Sequence, residues 1–388
     1  MLASIIAVIE ESGVESGSVE ELAKRGFDPA PGTFDPAELE SASRVQIALL
    51  ASIVAAANRQ QFGDSLESLL DYVAARTNQL GAFDQARFWH LKGVSVWRSH
   101  ESFYTATRAF NSSIEILIGL DAAGARNYLP RVLDTYGQFL NSQGLTHDAR
   151  REFETSLGYR EALNDQVGMA ITLGKLGRLC MDTGDFAAAA EYLGRDLEIV
   201  EGSASPMVGI QIQLLSHLGT CNLELGRIGE ARALFQLNAE LAQTEHDAVG
   251  SAYAALGLGK IALELGDRVQ AEEQLRMART NISRSSLQGD AQNSLEALMH
   301  QFAGEIAQEQ GALEKALEDF RQAQELFARV SNTSPVKIAP LLRDHARAAL
   351  ANNQVEQAVS LLRQALHELD PPAPEAMRQS IEEELQEL

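Results

Sequence analysis

The sequence predicts an all-α fold, a right-handed superhelical solenoid of antiparallel helix pairs with a capping helix at each end. Three observations lead to this prediction. A pattern of Leu-Gly, a second Gly, an Ala and then Leu or Phe occurs three times between residues 176 and 275. Its register extends in both directions at intervals of 40 to 45 residues. A segment rich in Pro and Gly at 26–36 and a Pro-rich segment at 370–374 flank the repeats. A period in this range indicates one supersecondary unit stacked side by side.

Seven alanines mark the register, and each is followed four residues later by a large apolar residue. The alanines are Ala106, Ala149, Ala189, Ala231, Ala271, Ala316 and Ala358; the large residues are Phe110, Phe153, Leu193, Phe235, Leu275, Phe320 and Leu362. Twelve residues before the last six alanines stand Gly137, Gly177, Gly219, Gly259, Gly304 and Ala346, whereas Gly93 of the first copy is one residue further away. We expect these small residues to allow close packing of neighbouring helices.

Within each unit, the residue types predict a first helix, a tight turn and a second helix. Glycines that accept the left-handed conformation are placed to end the first helix, at Gly144, Gly184, Gly226, Gly266 and Gly311. In the second helix, Ala and Phe or Leu four residues apart share one face. Ser205-Pro206 and Ser334-Pro335 are typical of an N-cap followed by Pro at the first helical position.

The ends of the chain depart from this pattern, and four regions are predicted. Residues 1–36 form an N-terminal helix, at Leu2 to Ile9, and a Pro/Gly-rich linker. Residues 37–81 are a degenerate helical repeat with its turn at 61–63. Residues 82–370 hold seven repeats. Residues 371–388 form a C-terminal capping helix with an apolar side of Met377, Ile381, Leu385 and Leu388. A dimerisation helix is the alternative for this last segment.

The unit resembles the tetratricopeptide repeat, whose pattern W-x2-L-G-x2-Y…A-x3-F is matched at the Leu-Gly, Ala and Phe/Leu positions. Only Trp89 meets the Trp position, and the Tyr position holds residues such as Leu140, Cys180 and Asn222. The long period is similar to that of kinesin light chains, Pins-like polarity adaptors and the sensor regions of bacterial regulators such as the maltose activator. The resemblance implies a concave groove, lined by the first helices, that binds a partner.

Composition narrows the kind of partner. A net charge of −22 and a pI near 4.8 disfavour binding to nucleic acid or to an anionic membrane, both of which rely on Lys and Arg. A protein or peptide partner is therefore expected. The excess of Arg over Lys favours a bacterial source. The two cysteines, Cys180 and Cys221, occupy equivalent first helices and are interpreted as buried thiols of a cytoplasmic protein.

No motif predicts an enzyme, a cofactor site or a metal site. The stretch Gly257-Leu-Gly259-Lys260 lacks a complete phosphate-binding fingerprint, and the repeat register accounts for it. The eight His residues show no metal-ligand spacing and no HExxH motif.

Carrying the groove geometry over one repeat at a time predicts a set of partner-binding residues on the first helices. They are His90, Trp97, Arg98, Asp134, Gln138, Asn141, Arg178, Asp182, Thr220, Glu224, Lys260, Glu264, Gln301, Glu305, Arg343 and Arg347. Trp97 with Phe103 and Tyr104 suggests an aromatic anchor, or ordinary core packing. The pair Arg343 and Arg347 suggests a receptor for a carboxylate, or surface arginines facing a nearby Glu.

Three functions remain open at this point. The first hypothesis is a non-catalytic interaction scaffold that holds a protein segment in its groove. The second is a peptide- or ligand-sensing regulatory module acting through another protein. The third is an accessory subunit of an enzyme complex.

Overall fold

A computed structural model describes residues 7–9, 11–12, 43–57, 59–205, 207–331, 334–369 and 375–388, and the regular structure within these ranges is helical throughout. The predicted linker and most of the predicted N-terminal helix lie outside the described residues, although residues 7–9 and 11 are helical. The helices are α1 (Arg44–Ala57), α2 (Arg59–Ala74), α3 (Ala82–Ser99), α4 (Phe103–Ile118), α5 (Ala123–Ser142), α6 (Thr146–Leu163), α7 (Gln166–Asp182), α8 (Phe186–Glu201), α9 (Val208–Glu224), α10 (Ile228–Thr244), α11 (Ala248–Glu264), α12 (Arg268–Ser283), α13 (Gly289–Glu309), α14 (Leu313–Phe327), α15 (Pro335–Ala351), α16 (Val355–Glu368) and α17 (Glu375–Gln386).

The chain divides into two compact units. Unit 1 comprises the described residues up to Gln143 together with His147–Asn164, and unit 2 comprises Gly144–Thr146 and the described residues from Asp165 to Leu388. In unit 2, five consecutive helix pairs pack together: α7 with α8, α9 with α10, α11 with α12, α13 with α14, and α15 with α16. Second helices also pack against the next first helix, as α8 does on α9 and α10 on α11. The prediction of an all-α solenoid built from helix pairs is confirmed.

The turn between the two helices of a pair depends on glycine. The five predicted turn glycines have φ between 70° and 78°, where side chains with a Cβ are strained. At Gly226, the amide donates to the Leu223 carbonyl at 2.9 Å, and the next amide, of Arg227, donates to the Asn222 carbonyl at 2.8 Å. These bonds satisfy the last carbonyls of α9 and let the chain reverse within a few residues.

The small residue of the first helix accommodates the large residue of the second. A Cβ at Gly219 would lie 2.7 Å from the Phe235 ring, and one at Gly304 would lie 2.7 Å from the Phe320 ring. Both distances are far below van der Waals contact. The structure therefore refines the sequence prediction, because these glycines accept an aromatic side chain rather than another helix backbone.

A polar residue seven positions after the Ala joins the second helix to the first in three pairs. Side chains at this position donate hydrogen bonds to first-helix carbonyls: Ser113 to Ala86 at 2.7 Å, Ser156 to Pro130 at 3.0 Å, and Asn238 to Ile212 at 3.0 Å. In the α7–α8 pair the same position holds Asp196, which is only 4% exposed.

Three local predictions are wrong or only partly right. Residues 61–63, predicted as a turn, lie in the first turns of α2, because Gln and Phe are compatible with a helix and a single Gly is tolerated. Helix α9 begins at Val208 with Met207 as its N-cap, so the motif at Ser205 does not start it. Helix α15 does begin at Pro335, but the Ser334 side chain makes no capping bond to its own helix.

The remaining sequence features lie in apolar surroundings. Cys180 and Cys221 are free thiols, 1% and 0% exposed, as expected for small core residues. In α17, Ile381 is fully buried, and Met377 and Leu385 pack against a core cluster that includes residues of α15 and α16. Leu388, the fourth residue of that predicted apolar side, is 44% exposed.

Candidate binding surface

In unit 2, most of the partly exposed charged side chains of the first helices lie on one face of those helices. Relative to the small residue of each first helix, this face consists of positions −2, +1 and +5, which share one side because successive residues turn by about 100°. We call it the first-helix face. Its polar members are Lys175, Arg178, Asp182, His217, Thr220, Glu224, Lys260, Glu264, Glu305, Glu309, Asp344 and Arg347, and Lys337 lies seven residues before Asp344, near the start of α15. All of these belong to unit 2.

The middle of the first-helix face is an ionic cluster that spans neighbouring repeats. Lys260 of α11 lies 3.6 Å from Glu305 of α13, and both side chains are partly buried. Glu305 is the main cause of the raised pKa of Lys260, with further contributions from Glu224 and Asp344 that outweigh the opposing effect of burial. Lys260 is therefore firmly charged and surrounded by carboxylates.

Carboxylates outnumber cations in this cluster. Burial, and then the charge of Glu305, raises the pKa of Asp344 to about 6, against opposing effects of Arg343, Lys260 and Arg347. Burial and the neighbouring Glu224 likewise raise the pKa of Glu264. Burial is the larger cause of both raised pKa values, and the second cause, a neighbouring carboxylate, shows that the acids of the cluster repel one another. An added cationic group, such as a Lys or Arg side chain of a ligand, is the chemistry that the cluster favours.

At the other side of the face, two cations and a histidine from three helices lie close together. Arg178 of α7, His217 of α9 and Lys337 of α15 lie near enough to one another for both cations to lower the His217 pKa, although burial is the larger cause and the pKa falls to about 4. The imidazole is therefore neutral at pH 7. Burial raises the pKa of Asp182, and the charges of Lys337 and Arg178 act in the opposite direction without cancelling that rise.

Four of the residues predicted to line the groove are oriented otherwise, and all four occupy position −3. His90, Asp134 and Gln301 are buried, at 7%, 2% and 6% exposure, so the prediction that they contact a partner is wrong. Arg343 is half-buried, and its Nε is buried without a hydrogen-bond partner among the described residues. Position −3 lies about 40° closer to the small residue than position +1 does, which turns the side chain into the packed side of the helix.

The two buried residues of unit 1 from the predicted groove, His90 and Asp134, interact with other side chains of unit 1. His90 Nδ1 is 2.8 Å from the Tyr128 hydroxyl, and burial, followed by the charge of Arg131, lowers the His90 pKa to about 3. Asp134 Oδ2 accepts a hydrogen bond from Arg160 at 2.8 Å, in an ion pair with less than one tenth of either side chain exposed. Both residues stabilise the core of unit 1.

The predicted aromatic anchor is divided between core and surface. The rings of Trp97 and Phe103 pack on Phe139, with centroids 5.9 Å and 5.4 Å apart, whereas Tyr104 is 75% exposed. Phe103 is also 46% exposed, so core packing accounts for Trp97 and only in part for Phe103. Three other predicted residues of unit 1 remain accessible, and these are Arg98, Gln138 and Asn141.

The predicted pair of C-terminal arginines does not form a vacant carboxylate receptor. The guanidinium of Arg347 donates to both carboxylate oxygens of Glu384 in α17 and lies 3.8 Å from Asp344. This is the alternative in which a surface arginine faces a nearby Glu. Thr220, also predicted, donates its hydroxyl proton to the Ser216 carbonyl of its own helix at 3.0 Å.

Sequence reasoning missed five residues, namely Lys175, His217, Glu309, Asp344 and Lys337. Lys175, His217 and Asp344 stand at position −2, Glu309 stands at position +5, and Lys337 is seven residues before Asp344 on the same helix. A search at positions −2, +1 and +5 in every repeat would have found the first four, because that spacing follows one helix face.

Two further properties bear on the class of protein. Among the described residues, no group of three or more His, Cys, Asp and Glu side chains is arranged to hold a metal ion. No helix within the described ranges is long and apolar enough to cross a membrane.

No protein-family model matches the sequence, and no curated protein is significantly similar to it. Solved structures are similar in fold. The apo form of RapI has a TM-score of 0.67 at 12% identity, over 100% of this chain and 97% of that chain. NprR in complex with its cognate peptide NprX has a TM-score of 0.52 at 13% identity, over 77% of this chain and 82% of that chain. A tetratricopeptide repeat protein from Parabacteroides merdae has a TM-score of 0.51 at 14% identity, over 79% and 98%. At such identities the likeness shows the fold alone, which is that of a tetratricopeptide-repeat protein.

Proposed function

Starting from the tetratricopeptide-repeat fold of this chain, we propose that it is a non-catalytic interaction module that binds a protein segment or peptide along the first-helix face of unit 2. The observation that carries the proposal is the placement of charge. Twelve polar or charged side chains from five successive first helices share one face, while the residues beside them are packed in an apolar core.

The number and variety of groups in this set favour a peptide ligand. Its members come from five first helices, α7, α9, α11, α13 and α15, and they converge, because Lys260 interacts with Glu224 and Asp344 as well as with Glu305, and α7 contacts α15. A peptide segment offers backbone and side-chain groups of both charge signs to such a set. The charges are also of both signs, which gives direction to a bound segment.

The proposal is tested by reversing charge on this face and, as a control, elsewhere. The variant Glu224→Lys/Glu264→Lys alters the first-helix face, and Glu230→Lys/Glu240→Lys makes the same charge change at exposed positions of the second helix α10. Affinity capture from the source cells, quantified by mass spectrometry, is compared for both variants and wild type after circular dichroism shows equal helicity. We expect at least a tenfold loss of the partner only in the first variant.

Two outcomes count against the proposal. A partner retained equally by both variants would place binding on another surface. The absence of any stoichiometric partner in all three captures would contradict an interaction module of this kind.

A peptide-sensing regulator is the second candidate, and the likeness to NprR, solved in complex with its cognate peptide NprX, favours it. In a sensor the peptide is the signal and a second protein is the target. A sensor binds its target differently with and without peptide. A captured protein whose recovery changes at least fivefold when a captured peptide is added back supports the sensor; unchanged recovery supports the scaffold.

A further inference from the structure

The α11–α12 pair departs from the packing seen in other helix pairs. Elsewhere the glycine of a first helix accommodates the large residue of its own second helix, as Gly304 accommodates Phe320. At Gly259 the nearest ring belongs instead to Phe302 of the following helix α13, and a Cβ there would lie 2.6 Å from it. Leu275, the large residue of α12, lines a cavity.

This cavity is a groove between α12 and the following pair, α13 and α14. Its larger part has a volume of about 530 Å³ and its continuation one of about 380 Å³, and Arg279 and Ser283 border both parts. Helix α12 borders the groove with a single face, whose residues are spaced three and four apart from Glu272 to Ser283. At 1.5 Å per residue, the groove is about 16 Å long.

The floor of the groove is apolar. Leu275, Ala303 and Ile306 line its larger part, and Ile282 and Met299 line its continuation. All of them are fully or partly buried in the protein, so only a strip of apolar surface is exposed at the bottom. Aliphatic side chains of a ligand are the groups that such a strip favours.

The groove lies apart from the first-helix face. Ala303 and Ile306 stand at positions −1 and +2 of α13, whereas the face consists of positions −2, +1 and +5. Because successive residues turn by about 100°, the two sets point in directions about 100° apart. A ligand in the groove therefore contacts a different surface from a peptide on the first-helix face.

The walls of the groove carry positive charge that the protein does not compensate. Arg279 of α12 and Lys315 of α14 are exposed, and neither side chain forms an ion pair or a hydrogen bond with another described residue. The third cation, Arg276, is held by a Glu of its own helix. The two carboxylates of the lining, Glu272 and Glu296, each accept a hydrogen bond from a glutamine side chain. In a chain of net charge −22, this groove is thus a place where acidic groups of a ligand find cations.

We propose that the groove binds an acidic amphipathic helix of a partner protein. The apolar stripe of this helix covers Leu275, Ala303 and Ile306, and acids along its two flanks face Arg279 on one wall and Lys315 on the other. The inference adds a second binding surface to the proposed function and does not depend on it.

The nature of the walls favours a helix over an extended segment. Both walls and the floor are helices, whose backbone groups are bonded within each helix and offer no ladder to a strand. A bound helix satisfies its own backbone groups and packs its side-chain ridges between those of its neighbours. The length of the groove corresponds to about three turns of such a helix.

The test selects ligands without assuming a sequence. A phage-displayed library of random peptides, each long enough for about four helical turns, is depleted on Ser283→Trp and then selected on the full wild-type chain. Ser283 is exposed at the border of both parts of the groove, so the indole obstructs it without changing charge. Enriched sequences should carry apolar residues at i, i+3, i+4 and i+7 and more Asp and Glu than Lys and Arg.

Fluorescence anisotropy of the most enriched peptide then locates the charges. Arg279→Glu/Lys315→Glu should weaken binding at least about tenfold, because two attractions become repulsions. Arg232→Glu/Arg363→Glu, which makes the same charge change at exposed positions of α10 and α16, should change the affinity by less than about twofold. Circular dichroism checks that both variants keep the fold.

Several results would overturn the proposal. These are a selection without enrichment, enriched peptides that are basic or lack the helical period, and equal affinity for wild type and Arg279→Glu/Lys315→Glu. Weaker binding by Glu224→Lys/Glu264→Lys would place the peptide on the first-helix face instead. Self-association of the wild type that Ser283→Trp abolishes, measured by sedimentation velocity, would assign the groove to a second copy of the chain. None of these results bears on the capture experiment that tests the proposed function, so the two proposals fail separately.

Discussion

Replacing Asp196 with Asn should stabilise the protein at neutral pH. Asp196 occupies the position where Asn238, in the next repeat, donates a hydrogen bond to a first-helix carbonyl. It is 4% exposed, and its Oδ1 is buried without a hydrogen-bond partner among the described residues. Burial raises the pKa of this carboxyl from its ordinary 3.8 to about 6. A charge at this position is therefore unfavourable, and a neutral donor is preferred.

The size and the pH dependence of the effect follow from this pKa. Because the folded-state pKa is raised, the stabilising contribution of protonated Asp196 is complete below about pH 4 and is lost as pH rises through 6. Each pKa unit corresponds to about 1.4 kcal/mol, so the loss amounts to about 3 kcal/mol at pH 7.5. Asn carries no charge at any pH, and Asp196→Asn should therefore recover most of this free energy.

Urea unfolding followed by circular dichroism between pH 4.5 and 7.5 measures the effect. Asp196→Asn should raise the unfolding free energy most at pH 7.5 and progressively less towards pH 4.5. Glu191→Gln, at an exposed position of the same helix, should change it by less than about 0.5 kcal/mol at every pH. Parallel curves for wild type and Asp196→Asn would refute the reasoning, since they would show that Asp196 takes up no proton on folding.

Three other predictions concern stability and reactivity. Gly219→Ala should lower the free energy of unfolding by about 1 to 3 kcal/mol, because the added Cβ meets an aromatic ring. Gly229→Ala, which has open space around it, should raise that free energy by up to about 1 kcal/mol. Thermal unfolding of the two variants measures both effects. Asp134→Ala should cost about 3 to 5 kcal/mol in urea unfolding, because it leaves the Arg160 charge buried, and a loss below 1 kcal/mol would contradict that account. Burial raises the pKa of the Cys221 thiol to about 12, so a thiol reagent at pH 8 should label it only after denaturation; rapid labelling of the native protein would show that the core opens.

The fold could be predicted because its signals are local and repeated. A turn glycine predicts the end of the first helix, and an Ala with a Phe or Leu four residues later predicts the packed face of the second helix. Because this pattern occurs seven times, its register along the chain is unambiguous. The start of α9 was misplaced because a single Ser-Pro pair is a weak signal that no repeat reinforces. The turn at 61–63 failed for the same reason, in the part of the chain where the register fades.

The candidate site was predicted less well, because a difference of about 40° around the helix axis decides whether a side chain is exposed on the first-helix face or buried beside it. Lys260 and Glu305 stand at position +1 and do lie together on the first-helix face. Gln301 and Asp134, at position −3, were expected beside them and are buried. Lys337 could not be found from repeat phase, because its role depends on the contact between α7 and α15, which joins residues 152 positions apart.

The fit between a glycine and an aromatic ring bears on how such an array changes in length. Gly304 and Phe320 complete their contact inside one helix pair. Duplication or loss of such a pair as a whole would leave a contact of this type intact. Helix α11 is different, because a Cβ at Gly257 would lie 2.4 Å from Phe235 of the preceding pair and one at Gly259 would lie 2.6 Å from Phe302 of the following pair. The pair α11–α12 is thus fitted to both of its neighbours, and its gain or loss in evolution would require matching changes in both.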